Sequence, residues 1–300
     1  MAPIIRPARA EELQTAQQLV VRSINDLMER HGFGKFASVR SPDFQLFSLR
    51  DDPDGLWVAE ANGEIVGFVF SWTAGDFWFL AQLFVNPASQ GDGVGSALLD
   101  RAFEHARKSG ASNRALITFA FNVVSTGLYI KYGLLPRLPI YVVQADRAAL
   151  KLPSTHSKLR AVDIADTPAH RELLAWLDGA ALGFSRERHH VFLRAQSAVR
   201  GVLLHRGETC VGYAYVSAAG HIGPLAVNQR EDMGDAFATA LDMAVASGAP
   251  QVSAFLPGVS KAALDIATAS GMRLAVPTML MSAEPFGDWE RYLPTNPGFM

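Results

Sequence analysis

The chain has 300 residues, 49% of them apolar, a formal net charge of -2 and one cysteine. That length suits two cores of about 150 residues better than one. Interspersed charges leave no footprint for nucleic acid or an anionic membrane. No apolar run approaches the ~20 residues of a membrane span, the N-terminus lacks the apolar stretch of a leader, and the lone Cys210 excludes an internal disulfide, so a soluble cytoplasmic protein is expected.

In chain order, Glu11 to Arg30 and Pro42 to Leu49 read as helices, and His31-Gly32-Phe33-Gly34-Lys35 between them as a mobile loop able to close over a substrate. Leu56 to Ala61 and Ile65 to Trp72 are strand-like runs about the turn Asn62-Gly63-Glu64, a hairpin signature. The apolar run Phe77 to Val85 then leads into Gln90-Gly91-Asp92-Gly93-Val94-Gly95 and the helical Ser96-Ala97-Leu98-Leu99. Strand, glycine turn, helix start is the order of a phosphate cradle: glycine permits positive φ and close approach, and the first helical N–H groups favour an anion. No lysine follows the glycines, which argues against a nucleotide triphosphatase loop. The following strand, Ala115 to Phe121, carries no acid for a dinucleotide ribose.

Gln-x-x-Gly-x-Gly after Leu83-Phe84-Val85-Asn86-Pro87, with Asn122 and Leu128-Tyr129-Ile130-Lys131-Tyr132-Gly133-Leu134 downstream, resembles the GCN5-related N-acetyltransferases (GNAT) over roughly residues 3 to 145. Leu134 stands where that family usually has Phe. The resemblance implies an α/β fold in which a mostly antiparallel mixed sheet, flanked by helices, has a splayed central strand pair. It implies acetyl-CoA as acyl donor, with the diphosphate on Gln90, Gly91, Asp92, Gly93, Val94, Gly95 and Ser96. The pantetheine arm would pair with backbone at Leu83, Phe84 and Val85, and N–H near Phe84 or Val85 would receive the oxyanion. Asn122 would bond the pantetheine or a loop. Tyr129 matches the family's general acid, while an ordinary core position with a bonded hydroxyl is the alternative. Glu60, Asp76 or a water chain are open choices for the base.

The sequence repeats itself. Gly63-Glu64-Ile65-Val66-Gly67-Phe68 recurs as Gly207-Glu208-Thr209-Cys210-Val211-Gly212-Tyr213, Leu83-Phe84-Val85-Asn86 as Leu225-Ala226-Val227-Asn228, and Gly133-Leu134 as Gly271-Met272 at an offset of 138 positions. Two tandem GNAT-like domains are expected: 1-150 binding acetyl-CoA, a linker at 151-160, and 161-300 as a degenerate copy. Val85 to Ser109 spans 24 positions but Val227 to Ser247 only 20, and Gln229-Arg230-Glu231-Asp232-Met233-Gly234 replaces the cradle with two acids. The same offset pairs Tyr129 with Ala267 and Asn122 with Ser260. Ala169 to Ala180 and Arg186 to Val199 read as helices, the first capped by Thr167-Pro168, and Glu208 to Val216 as a strand in which Cys210 is a buried hydrophobe. The tail from Pro285 has no periodic pattern and is expected to wrap across the domains. No three histidines share a ligand spacing, so no metal is proposed.

The expected function is transfer of acetyl from acetyl-CoA to a small amine or amino-acid-like acceptor in a ternary complex, without nucleic-acid or membrane partners. The aromatic, acid-poor surroundings favour an uncharged or aromatic amine over a polycation. The rivals are a non-catalytic acyl-CoA sensor or scaffold and a protein lysine or N-terminal acetyltransferase.

Overall fold

The computed structural model describes residues 3–152 and 159–300, so most of the expected linker lies outside the described residues. The elements, in chain order, are β1 (Ile4–Pro7), α1 (Leu13–Arg30), α2 (Asp43–Asp51), β2 (Leu56–Ala61), β3 (Glu64–Ala74), β4 (Phe77–Val85), α3 (Val94–Lys108), β5 (Asn113–Phe119), α4 (Val123–Lys131) and β6 (Leu135–Asp146). They continue with β7 (Arg160–Asp163), α5 (Pro168–Leu182), α6 (Glu187–Ala195), β8 (Val199–Arg206), β9 (Thr209–Ser217), β10 (His221–Val227), α7 (Met233–Ala246), β11 (Gln251–Pro257), α8 (Lys261–Ala269), β12 (Arg273–Ser282) and β13 (Tyr292–Leu293).

The chain forms two compact units, one of Met1–Ile117, Val123–Leu135 and Ser282–Glu284, the other of Thr118–Asn122, Pro136–Met281 and Pro285–Met300. In the first, the strands run in the order β1-β2-β3-β4-β5. All neighbours are antiparallel except β4 and β5, which are parallel. Asn62 (φ 53°) and Gly63 (φ 79°) both adopt left-handed backbone between Ala61 and its partner Glu64, the two-residue turn that matches strand twist. Leu98, Leu99, Ala102, Phe103 and Ala106 form the buried stripe of α3, which lies close on β3. A Cβ at Gly67 would stand 2.8 Å from Leu98 Cδ1, so a larger residue there would make Leu98 shift.

In the second unit the order is β12-β6-β11-β10-β9-β8-β7, with β13 also paired to β10. β10 and β11 are parallel. Thr167 Oγ1 accepts from His170 N–H (3.3 Å) with Pro168 next to it, the expected start of α5. α6 stops at Ala195 instead of reaching Val199, because Val199 already pairs with Ser217 in the β8–β9 ladder. The neighbour of β11 is β6, antiparallel from Ile140↔Pro257 to Asp146↔Gln251, so residues 136–150 of the first repeat pack in the second unit. The tail does not wrap across: Pro285–Met300 belongs to the second unit, where Tyr292, Leu293 and Met300 are fully buried. Among the described residues no helix is long and apolar enough to cross a membrane.

Candidate active site

The turn before α3 is built by its glycines. Gly91 (φ 95°) and Gly93 (φ 78°) are left-handed, a conformation that costs other residues about 1–2 kcal/mol. Gly93 is the N-cap and offers no side chain. The first turn-closing bond is Ala97 N–H to Gly93 O (3.0 Å), so the N–H groups of Val94, Gly95 and Ser96 have no helical carbonyl to meet. No acid occupies the first turn, whereas His105, Arg107 and Lys108 occupy the last, and the helix dipole is open to an anion. Gln90, Gly91, Asp92, Gly93 and Ser96 are exposed, Gly95 is half-buried and Val94 is buried. Asp92 carries the wrong charge to meet an anion with its side chain.

The strand leading to this turn opens on one side. β4 pairs with β5 from Phe77↔Asn113 to Leu80↔Leu116, then continues to Val85 alone on that edge of the first unit. Its burial changes at the same place, from buried Phe77–Ala81 to half-buried Gln82–Val85. A register shift between Phe70↔Gln82 and Ser71↔Leu80 leaves Ala81 as the extra residue of a bulge, which bends the strand there. Asn86 N–H donates to Val66 O (2.8 Å), which sets the phase of the antiparallel ladder. By its alternation Phe84 faces Phe68, while Leu83 and Val85 turn their backbone groups to the open edge. Phe84 N–H is therefore committed to β3, and Val85 remains of the two expected oxyanion donors. Val85 O accepts from Gln90 Nε2 (3.2 Å) and Ser23 Oγ (3.2 Å), tying the glycine turn to the strand.

Tyr129 lies on α4 in the same unit, 6% exposed. Its hydroxyl makes no hydrogen bond among the described residues, so the bonded core position is not what the structure holds. Burial pushes its phenol up from the ordinary value, keeping the proton on at neutral pH. Asn122 is half-buried, donates its N–H to Phe119 O (3.0 Å) and groups by its contacts with the second unit.

The carboxylates expected as bases are engaged elsewhere. Glu60 Oε2 accepts from Arg6 Nη2 (2.6 Å). Asp76 accepts from Ser112 Oγ (2.6 Å) at the far end of β4, roughly 16 Å along the strand from the bulge. The side chain β4 does offer beside the bulge is Gln82, whose Oε1 accepts from Gln45 Nε2 (3.1 Å). Gln45 and Gln17 come from separate helices, so the sequence alone does not bring them to Gln82. A second cluster has the order of a hydrolytic triad: Ser71 Oγ to His105 Nδ1 (2.8 Å) and His105 Nε2 to Asp52 Oδ1 (3.0 Å). Trp78 Nε1, which can only donate, also meets Nδ1 (3.3 Å), so the ring proton sits on Nε2. Ser71 is 1% exposed, which leaves no path for a substrate and makes this a structural clamp.

The second unit differs at the equivalent strand end and helix start. β10 parts from β11 after Ile222↔Ala254, but β13 fills the gap, with Leu225↔Leu293 and Ala226↔Tyr292 in register. Val227, the counterpart of Val85, donates its N–H to Arg291 O (3.0 Å). α7 starts with Asp232 at its N-cap position. Asp232 and Asp235 are clamped by Arg206 (2.7 and 2.8 Å), and tail residue Asp288 by Arg230 (2.9 Å). No left-handed glycine stands between β10 and α7. Ala267 and Ser260 are buried. Cys210 is half-buried, its thiol pushed up by burial and donating to Gly212 O (3.6 Å). Among the described residues no group of three His, Cys, Asp or Glu could hold a metal.

A mixed sheet whose parallel pair parts beside an uncapped glycine turn is the arrangement that the family resemblance implies. The chain matches the Acetyltransferase (GNAT) family over residues 21–134. An uncharacterised N-acetyltransferase of Archaeoglobus fulgidus is 32% identical over 112 residues, 34% of this chain and 72% of that protein. One of Methanocaldococcus jannaschii is 36% identical over 69 residues, 21% of this chain but only 30% of the relative. Among solved structures, a Pyrococcus horikoshii protein superposes with TM-score 0.77 at 18% identity, covering 100% of this chain and 96% of its own. A tandem GNAT protein from the clavulanic acid biosynthesis pathway gives TM-score 0.63 at 16% identity over 94% and 99%. The chain belongs to the GNAT acetyltransferase family, in tandem form.

Proposed function

We propose that the first unit binds acetyl-CoA and transfers its acetyl group to a small amine. The observation that carries this reading is the joining, through Gln90 and Val85, of an uncapped helix start to an open strand edge. Bound acetyl-CoA would supply an activated acetyl thioester. The N–H groups of Val94, Gly95 and Ser96 would hold its diphosphate, with Gln90, Gly91, Asp92 and Gly93 shaping the turn. Leu83 and Val85 would orient its amide-bearing arm by backbone bonds, as an added strand is held, and Phe84 would shape the edge from its place in the ladder. Support for that mode comes from the second unit, where β13 pairs along the equivalent edge of β10. Tyr129 would hold a proton at its hydroxyl for the departing sulfur. Asn122 keeps a proposed role on the family resemblance alone.

Calorimetric titration with acetyl-CoA, followed by thiol release with an amine panel, tests the reading. Gly93→Asp, which puts a charge and a Cβ at the cap, should weaken binding at least tenfold, about 1.4 kcal/mol. Unchanged affinity in folded protein would remove the turn from the site, and binding without thiol release on any amine would favour a non-catalytic acyl-CoA module.

A further inference from the structure

Resting on the reading just given, the acceptor is narrowed by what stands beside the bulge. An acyl donor with its diphosphate at the start of α3 and its arm along Val85 and Leu83 directs its thioester toward Ala81 and Gln82. Three amides meet there. Gln45 Nε2 of α2 donates to both Gln82 Oε1 (3.1 Å) of β4 and Gln17 Oε1 (3.2 Å) of α1. Gln45 is 9% exposed, and Gln82 Nε2 makes no hydrogen bond among the described residues. Phe70, opposite Gln82 in the ladder, meets Phe44 of α2 edge to face (5.6 Å). The acids of the neighbouring strand and turn are held elsewhere, Glu60 by Arg6 and Asp76 by Ser112.

Such surroundings penalise a cation and supply no side chain to deprotonate one. An alkylamine of pKa near 10.4 is neutral in only about one molecule in 2,500 at pH 7. Burying its ammonium form against amides alone leaves a charge without a partner. An amine already neutral at pH 7 avoids both costs, its nitrogen bonding to Gln82 and its apolar body meeting aromatic rings. We infer that the acceptor is a weakly basic aromatic amine, with Gln82 the residue that selects it over alkylammonium substrates. In the transfer the N–C bond forms as the thioester C–S bond breaks; nitrogen loses one proton, sulfur gains one, and no oxidant or reductant is needed.

The test compares aniline with benzylamine, similar in shape but neutral and cationic respectively at pH 7, on the full chain with acetyl-CoA. Wild-type protein should show kcat/KM at least tenfold higher for aniline. Gln82→Glu keeps an oxygen for Gln45 Nε2 and adds a counter-charge. It should shift that ratio at least tenfold toward benzylamine and tighten benzylamine binding at least tenfold by calorimetry on the CoA-loaded protein. Preference of the wild type for benzylamine, acetylation of neither amine, or an unchanged ratio in Gln82→Glu each overturns the inference. Titration with acetyl-CoA separates the two failures: binding intact leaves the donor-site reading standing while the acceptor class falls, and absent binding removes both.

Discussion

Gly93 and Gly95, separated by Val94, do different work. Gly93 has φ 78°, so any side chain there strains the backbone before a ligand arrives. Gly95 is helical, and a Cβ on it would make an ordinary 3.7 Å contact with Val85 Cγ2. Gly95→Ala should therefore leave the melting temperature unchanged or slightly higher, alanine being worth roughly 0.5–1 kcal/mol over glycine in a helix. It should still weaken acetyl-CoA binding about tenfold if the diphosphate lies on that backbone. Affinity at the wild-type value would place the ligand away from the α3 start. At Tyr129 the unbonded hydroxyl permits a similarly clean test. Tyr129→Phe should hold stability within about 0.5 kcal/mol and acetyl-CoA affinity near wild type, while turnover falls ~100-fold. Wild-type turnover would leave the ring a packing residue only. The sequence order of glycines was enough to find the left-handed turn before α3, because that turn needs φ values that only glycine adopts readily. Which backbone groups face the cleft was not legible, since the choice of Leu83 and Val85 over Phe84 depends on the ladder phase that Asn86 and Val66 set.

Elements formed where local signals were strong. Asn62-Gly63 carries its own turn geometry, so β2 and β3 follow from it, and the bounds expected for β2 and β4 match those observed. Helix α6 was read too long because the β8–β9 pairing that claims Val199 is non-local, and the buried charges at its start show in no local pattern either. Asp178 of α5 accepts from Arg186 Nη2 (3.1 Å), Tyr213 hydroxyl (2.5 Å) and His190 Nε2 (3.0 Å), and both Asp178 and Arg186 are fully buried. Burial alone would raise the Asp178 carboxyl, but Arg186 and His190 outweigh it and hold the group well below its usual range. Arg186→Met would leave that carboxylate short of its main partner and should cost about 3–5 kcal/mol by urea unfolding. A loss under 1 kcal/mol would mean the pair adds little. Burial also lowers His189 and His190, so both stay neutral in the fold after unfolded histidine begins to protonate near pH 6.5. More protons on the unfolded chain mean that stability falls with falling pH in that window. The urea midpoint should drop between pH 7 and pH 5, whereas the Asp178 contribution, from a depressed carboxyl, should be lost only below about pH 4. A flat midpoint from pH 7 to pH 5 would contradict the histidine assignment.

At the scale of the whole chain, two sequence repeats do not map onto two compact units. The repeats were visible as matching segments, but β6 follows its own domain in sequence and pairs with β11, a non-local choice that no local pattern encodes. The tail was opaque for the same reason: Tyr292–Leu293 is too short to show periodicity and becomes a strand only because β10 has an open edge. Under the proposed reading, that pairing sets how many acetyl-CoA molecules a chain takes. In the first unit Val85 N–H faces an edge without a strand beyond Leu80↔Leu116; in the second, Val227 N–H already donates to Arg291 O (3.0 Å), and Asp232 and Asp235 sit where an anion would rest. Acetyl-CoA should therefore bind with a stoichiometry of one per chain. Amide hydrogen exchange locates the site independently: Leu83 and Val85 should exchange readily in the free protein and become protected on adding acetyl-CoA. Val227 should be protected from the start and unaffected. Two equivalent binding events, or new protection at Leu225 to Val227, would mean that β13 yields its place to the cofactor and that the second unit is a working site.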